Sequence, residues 1–223
     1  FLRVIQAAKE KTGKNVVVLI DEYDKPILQA IGNESLQDEF RSTLKAFYGV
    51  LKSADADLKF TLLTGVTKFG KVSVFSDLNN LNDISLDNDF YNICGITEDE
   101  LKDVFEPYVN RLAEARKMKQ GEAYSELKRN YDGYHFTEEA PGMYNPFSLL
   151  NALHKRSFGS YWFETGTPSY LVELLKRHDF KLDELKGNKV TANVLSAIDA
   201  SSSNPIPVIF QSGYLTISGY NER

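Results

Sequence analysis

The sequence predicts an α/β fold that begins with a parallel sheet flanked by helices, and three observations predict it. Two short, dense apolar runs, residues 16–20 and 58–64, have the length and β-branched content of buried strands. Between them lies a long helical pattern. A connection of that length excludes a hairpin and suits a right-handed crossover between parallel neighbours. From residue 132 onward, Gly, Pro and aromatic residues punctuate short elements, which predicts small helices and a closing strand of winged-helix-like layout.

Taken in order, Leu2, Val4, Ile5, Ala8 and Lys9 predict a helix that Gly13 stops before the first strand. Val16 to Ile20 are five consecutive apolar residues, read as a strand buried on both faces, and Pro26 prevents its continuation. A short helix is expected over 27–31. A long one is expected over 35–54, with Ser35 and Asp38 at capping spacing and an apolar stripe of Leu36, Phe40, Leu44, Phe47, Tyr48 and Leu51. The second strand, 58–64, ends at Gly65. Residues 72–86 read as loop with a short strand near 83–86. Thr97-Glu98-Asp99-Glu100 is a capping box, Glu106-Pro107 bends or breaks the helix it opens, and helical pattern resumes over 108–118 and 122–131. Asn145-Pro146 and Thr167-Pro168 read as caps followed by a first-turn proline, predicting helices over 147–154 and 169–177. A helical turn within 205–213 and a strand over 214–217 close the chain, and residues 201–204 read as a loop.

The chemistry gathers where the first strand ends. In an open α/β sheet, ligands bind at the carboxyl ends of the strands, which is where Asp21, Glu22 and Asp24 fall. An apolar strand running into Asp-Glu is the Walker B pattern, in which the Asp holds Mg²⁺ on nucleotide phosphates and the Glu acts on the attacking water. The bland alternative is a buried strand with solvated acids at its mouth. After the second strand, Gly65 to Lys71 reproduces the glycine and lysine spacing of a phosphate loop. Val72 stands where the Mg²⁺-binding Ser or Thr belongs, and the β-branched residues that follow start a helix poorly. That stretch is therefore expected to be a connecting loop, with Thr64 or Thr67 as a γ-phosphate sensor beside the acids.

Composition narrows the partners. A formal net charge of −5 argues against a general nucleic-acid surface, and seven Lys or Arg against five acids over 151–190 is too slight an excess to claim DNA binding. Cys94 is the single cysteine, so no internal disulfide is possible, and a cytoplasmic location is expected. No apolar run reaches the roughly 20 residues needed to span a bilayer. His135, His154 and His178 are too dispersed for a zinc site. The chain opens at Phe1 inside an amphipathic pattern, which reads as a piece of a longer protein.

Three groups of motifs resemble the predicted AAA-ATPase-like family of anaerobic bacteria. The first comprises the stretch from Val17 through Ile20-Asp21-Glu22-Tyr23-Asp24-Lys25-Pro26, then Leu63-Thr64-Gly65-Val66-Thr67-Lys68-Phe69 and Leu78-Asn79-Asn80-Leu81. The second is Tyr131-Asp132-Gly133-Tyr134 and Tyr144-Asn145-Pro146-Phe147-Ser148. The third is Trp162 through Pro168, and Gln211-Ser212-Gly213-Tyr214-Leu215-Thr216. The resemblance spans nearly the whole chain. It implies a partial P-loop NTPase core over 1–95, carrying the Walker B and sensor strands, a helical lid-like region over 96–135 and a winged-helix-like region over 136–223. By similarity, Asp21 is the Mg²⁺-coordinating acid, Glu22 the water-activating one, and Thr64 or Thr67 the sensor, with Lys68 a further candidate. In the family a phosphate-binding loop lies upstream and a restriction-endonuclease-like nuclease often lies downstream; neither is in this sequence.

The leading expectation is the Walker B half of an ATP-binding and hydrolysing switch that controls an attached effector, a nuclease in the full-length protein. ATP and Mg²⁺ are its cofactors in an intact parent and are not expected to bind tightly here. The alternative is a degenerate, non-hydrolysing regulatory or protein-interaction module of the same fold. A weaker one makes Asp21, Glu22 and Asp24 a metal-dependent nuclease cluster. Arg111, Arg116 and Arg129 fall in the lid-like helices, and none is assigned to the γ-phosphate. In Tyr131-Asp132-Gly133-Tyr134, Gly133 is expected to take a positive φ while the tyrosines pack between subdomains.

Overall fold

The computed structural model describes residues 1–68, 74–75, 78–164, 172, 175–176, 189–191, 194–195 and 205–220. The chain forms two compact units, one of residues 1–81 with 168–214 and one of residues 82–167 with 215–223.

In the first unit, α1 (Leu2–Thr12) ends where Gly13 takes a left-handed φ of 67° and returns its N–H to the Lys9 carbonyl. β1 (Val16–Ile20) follows, then the short α2 (Lys25–Gln29), which has Pro26 in its first turn. α3 (Glu34–Ser53) is capped by Asn33, whose side chain accepts the Leu36 N–H, and not by Ser35 as its spacing suggested. Asn33 already has extended backbone, while Ser35 lies inside the first helical turn. A 3₁₀ turn, Asp55–Asp57, then delivers the chain to β2 (Leu58–Leu63).

β1 and β2 pair in parallel, Val17 opposite Phe60 and Ile20 opposite Leu63, as the crossover predicts. The expectation of burial on both faces is overturned. Val18 is buried with Ile5, Ile27, Leu28, Tyr48 and Leu51, but Val17 is 50% and Leu19 69% exposed. The physical reason is alternation: the helices cover the face carrying Val16, Val18 and Ile20 and leave its opposite bare. A further helix, Ile206–Gln211, buries Pro207, Val208, Ile209 and Phe210 in this unit.

The second unit is helical. Thr97 and Glu100 form the predicted capping box of α4 (Glu98–Asp103), and Pro107 sits in the first turn of α5 (Glu106–Arg116). Glu106-Pro107 thus starts a new helix after the break. α6 (Gln120–Tyr131) follows, then α7 (Pro146–Lys155), where the Asn145 side chain caps the Ser148 N–H at 2.8 Å. α8 (Tyr161–Glu164) carries the half-buried Trp162. Leu101, Val109, Leu112, Leu127, Tyr144 and Leu149 form the core. Tyr131 packs into that core, and not between subdomains, while Gly133 takes a φ of 115° as expected.

Two expected strands do not form. At 83–86, Asp83 folds back to accept the Ser85 N–H and hydroxyl, a local turn that competes with extension. Residues 214–217 are irregular, and the Thr216 hydroxyl accepts the His135 N–H. Of the expected helix over 169–177 only residues 172, 175 and 176 are described, and these are helical; the loop at 201–204 and the residues at 72–73 where a helix would start lie outside the described residues.

Candidate functional site

The carboxyl ends of β1 and β2 place two polar turns side by side. Their pairing continues past the ladder: the Thr64 N–H donates to Ile20 O at 2.8 Å and the Tyr23 N–H to Thr64 O at 2.9 Å. Thr64 is therefore registered against the acids by backbone alone. Its hydroxyl donates to Asp21 Oδ1 and accepts from the Glu22 N–H. Asp21 and Glu22 are both exposed. Glu22 has a left-handed φ of 53°, uncommon outside glycine, and its carboxylate lies 2.5 Å from Lys25 Nζ. Lys25 Nζ is pulled upward in pKa by that contact with Glu22.

Asp24 behaves differently. It is fully buried, and it accepts the Val66 N–H at 3.1 Å, the Thr67 N–H at 2.7 Å and the Thr67 hydroxyl at 2.9 Å. Burial pushes its carboxyl pKa up, and the Thr67 and Val66 hydrogen bonds pull against that without cancelling it. Tyr23 adds a second tie, its hydroxyl donating to Thr67 O at 3.0 Å. Gly65 lies so close under this turn that an added Cβ would sit 2.6 Å from Tyr23 Cε1 and 2.8 Å from Asp24 Oδ1. A side chain has no room there.

The two sensor candidates are thereby separated: Thr64 faces Asp21, while Thr67 is 3% exposed and faces Asp24. The Val66 and Thr67 amides, which a phosphate loop would offer to its ligand, already serve a carboxylate of the same chain. The Lys68 N–H goes to Gln211 Oε1 at 2.6 Å. Asp21 and Glu22 are not joined by Asp24 in a three-carboxylate cluster, and among the described residues no three His, Cys, Asp or Glu converge on a point. Of the lid-region arginines, Arg129 pairs with Glu126 at 2.5 Å and Arg111 lies 5.4 Å from the Tyr108 ring centre.

The structural role of Asp24 was missed by sequence reasoning, which treated it as a third exposed acid. The missed signal is its place one residue before the Lys25-Pro26 helix start, where the chain turns inward with Tyr23. Among the described residues, no helix is long and apolar enough to cross a membrane.

The parallel strand pair with acids at its carboxyl end is of the α/β class, and one comparison with known proteins bears on it. The family described as "Predicted AAA-ATPase" matches residues 1–75, about the first third of the chain. The chain is also similar to a protein of Azotobacter chroococcum mcd 1 named "Uncharacterized protein in vnfD 5'region", 42% identical over 217 residues. That alignment covers 97% of this chain and 40% of the relative, so the chain spans well under half of the relative's length. No solved structure matches.

Proposed function

We propose that this chain is the Walker B half of a nucleotide-driven switch. In an intact parent it would work with a phosphate-binding loop supplied by another segment and control an attached effector. The observation that carries the reading is the pairing of Asp21 with Thr64 at the carboxyl end of two parallel strands, with Glu22 next in the chain. Asp21 and Thr64 offer hard oxygen donors, the ligand chemistry Mg²⁺ prefers, and Asp21 is open to solvent. These two residues would hold Mg²⁺, which when bound with ATP neutralises charge on the phosphates. Thr64 orients the Asp21 carboxylate and senses the third phosphate; Glu22 positions or deprotonates the attacking water. Asp24 fixes the turn that follows Thr64, through Val66 and Thr67.

The chain alone offers Mg-ATP few ligands and is expected to bind it weakly. The test belongs on the longer parent, with ATP binding and turnover measured in parallel. Glu22→Gln should slow turnover by roughly 10²–10⁴-fold with binding retained, and Asp21→Asn should weaken Mg²⁺-dependent binding. One observation favours a second reading: the Glu22 carboxylate is held by Lys25, which would keep it from acting as a base. A parent that binds ATP without turnover, indifferent to Glu22→Gln, identifies a non-hydrolysing regulatory module of the same fold.

A further inference from the structure

Gln211 stands 143 residues after Lys68 in the chain, yet its side-chain oxygen accepts the Lys68 N–H at 2.6 Å. Its side-chain nitrogen donates to Leu195 O at 2.6 Å, so both ends of the amide are engaged. The residue is the last of the Ile206–Gln211 helix, whose Val208, Ile209 and Phe210 are buried. The helix end is itself closed: the Ser212 N–H and hydroxyl both donate to Val208 O, and the Tyr214 N–H to Ile209 O. Gln211 is thus presented from a firmly seated support.

Its target is the segment that carries the candidate sensor. From Thr64 to Lys68, the Thr64 N–H is held by β1, the Val66 and Thr67 N–H groups by Asp24, and the Lys68 N–H by Gln211. Asp24 grips this segment from the β1 side and Gln211 grips its far end. We propose that Gln211 is a positioning residue of the candidate site, and that the C-terminal helix sets the placement of Thr64–Lys68 jointly with Asp24. The catalytic meaning of that placement rests on the reading of Thr64 given above; the placement itself does not. Coupling of this kind is reciprocal, so disturbing either grip must loosen the other.

Amide hydrogen exchange on this 223-residue chain, without nucleotide, tests it. Gln211→Leu removes acceptor and donor at similar size. It should speed exchange at Lys68 by roughly tenfold, with smaller increases at Thr67 and Val66, and leave α5 and α6 unchanged. Gln211→Glu keeps the acceptor and loses the donor, so it should restore slow exchange at Lys68 while Leu195 stays released from its side-chain contact. In the reverse direction, Asp24→Asn should speed exchange at Lys68. Unchanged exchange at Thr67 and Val66 in Gln211→Leu would reduce Gln211 to an anchor of its own helix and overturn the proposal. So would a Lys68 effect that Gln211→Glu fails to rescue, or an Asp24→Asn variant silent at Lys68. Because exchange is read without nucleotide, a parent lacking ATPase turnover would sink the switch reading and leave this result standing.

Discussion

Asp24 in the first unit and Glu98 in the second each accept three hydrogen bonds, and the donors differ in kind. Asp24 is met by two backbone amides and a hydroxyl, all neutral, in a fully buried place. Glu98 is met by the Tyr144 hydroxyl at 2.7 Å and by the ammonium groups of Lys128 and Lys102, each at 3.0 Å, with its side chain about a third exposed. Burial raises the pKa of both. Around Asp24 it prevails; at Glu98 Tyr144 and the two lysines overcome it and hold the carboxyl at about 2. One carboxylate gives up favourable hydration to fix the shape of a turn. The other is an electrostatic joint between helices, and Tyr144, itself buried and bonded to Glu98, has its own pKa driven up. The difference teaches that a count of hydrogen bonds does not rank two acids; depth of burial and the set of donors together decide the sign.

The largest expected effect breaks the first member of the pair. Asp24→Ala strands the buried Thr67 amide and hydroxyl and the part-buried Val66 amide, and should cost the first unit about 3–5 kcal/mol in denaturant unfolding. Asp24→Asn keeps one acceptor and should cost clearly less; equal losses would mean the cavity, not the hydrogen bonds, matters. Next comes Gly65→Ala, where the contact with Tyr23 and Asp24 should cost about 1–3 kcal/mol through overpacking. A neutral result at Gly65 would show that the turn is slack and that Asp24 does not hold it tightly.

Acid sharpens the contrast because the two signs oppose. Glu98 has a folded pKa of about 2 against its ordinary 4.5, so its stabilisation is full above pH 4.5 and is lost as pH falls toward 2. Asp24, raised above its ordinary 3.8, contributes stability that is full below 3.8 and is lost as pH rises through its folded value. Urea unfolding at several pH values should therefore show the second unit weakening first in acid, and Glu98→Gln should flatten that slope. With a third of its side chain in solvent, the cost of Glu98→Gln at neutral pH should be only about 1 kcal/mol. The smallest effect is at a helix end: Asn33→Ala removes the cap of α3 and should lower first-unit stability by about 1 kcal/mol or less in the same assay. A loss of 3 kcal/mol there would mean α3 carries more of the sheet's support than its cap suggests.

Much of the first unit was legible in the sequence because local signals and tertiary need coincide. The apolar runs at Val16–Ile20 and Leu58–Leu63 pair in parallel, and Gly13 and Pro26 punctuate where they should. Asp21, Glu22 and Thr64 fall together because strand register brings them there. Asp24 was hard to read, since its place just before the Lys25-Pro26 helix start is only a weak local hint of a carboxylate that turns inward. Its partners come from 42 and 43 residues away. The same holds for Gln211 and for the bare face at Val17 and Leu19, where an apolar run states only that burial is favourable, not that a covering layer is present. The strand misread at 83–86 failed for the opposite reason: the Asp83 side chain satisfies the Ser85 N–H and removes the need for a ladder.

Trp162 in α8 is the sole tryptophan of the sequence, and it belongs to the second unit. The optical consequence is an uneven view of the molecule. Emission excited at the red edge, where tyrosine scarcely absorbs, reports on the helical unit alone, while the aromatic residues around the strand ends, Tyr23 and Tyr48, stay dark in that channel. A melting curve recorded by tryptophan fluorescence would follow Glu98 and its lysines and pass over Asp24. Circular dichroism sees both units, so the two signals separate on a single sample wherever the units unfold at different temperatures.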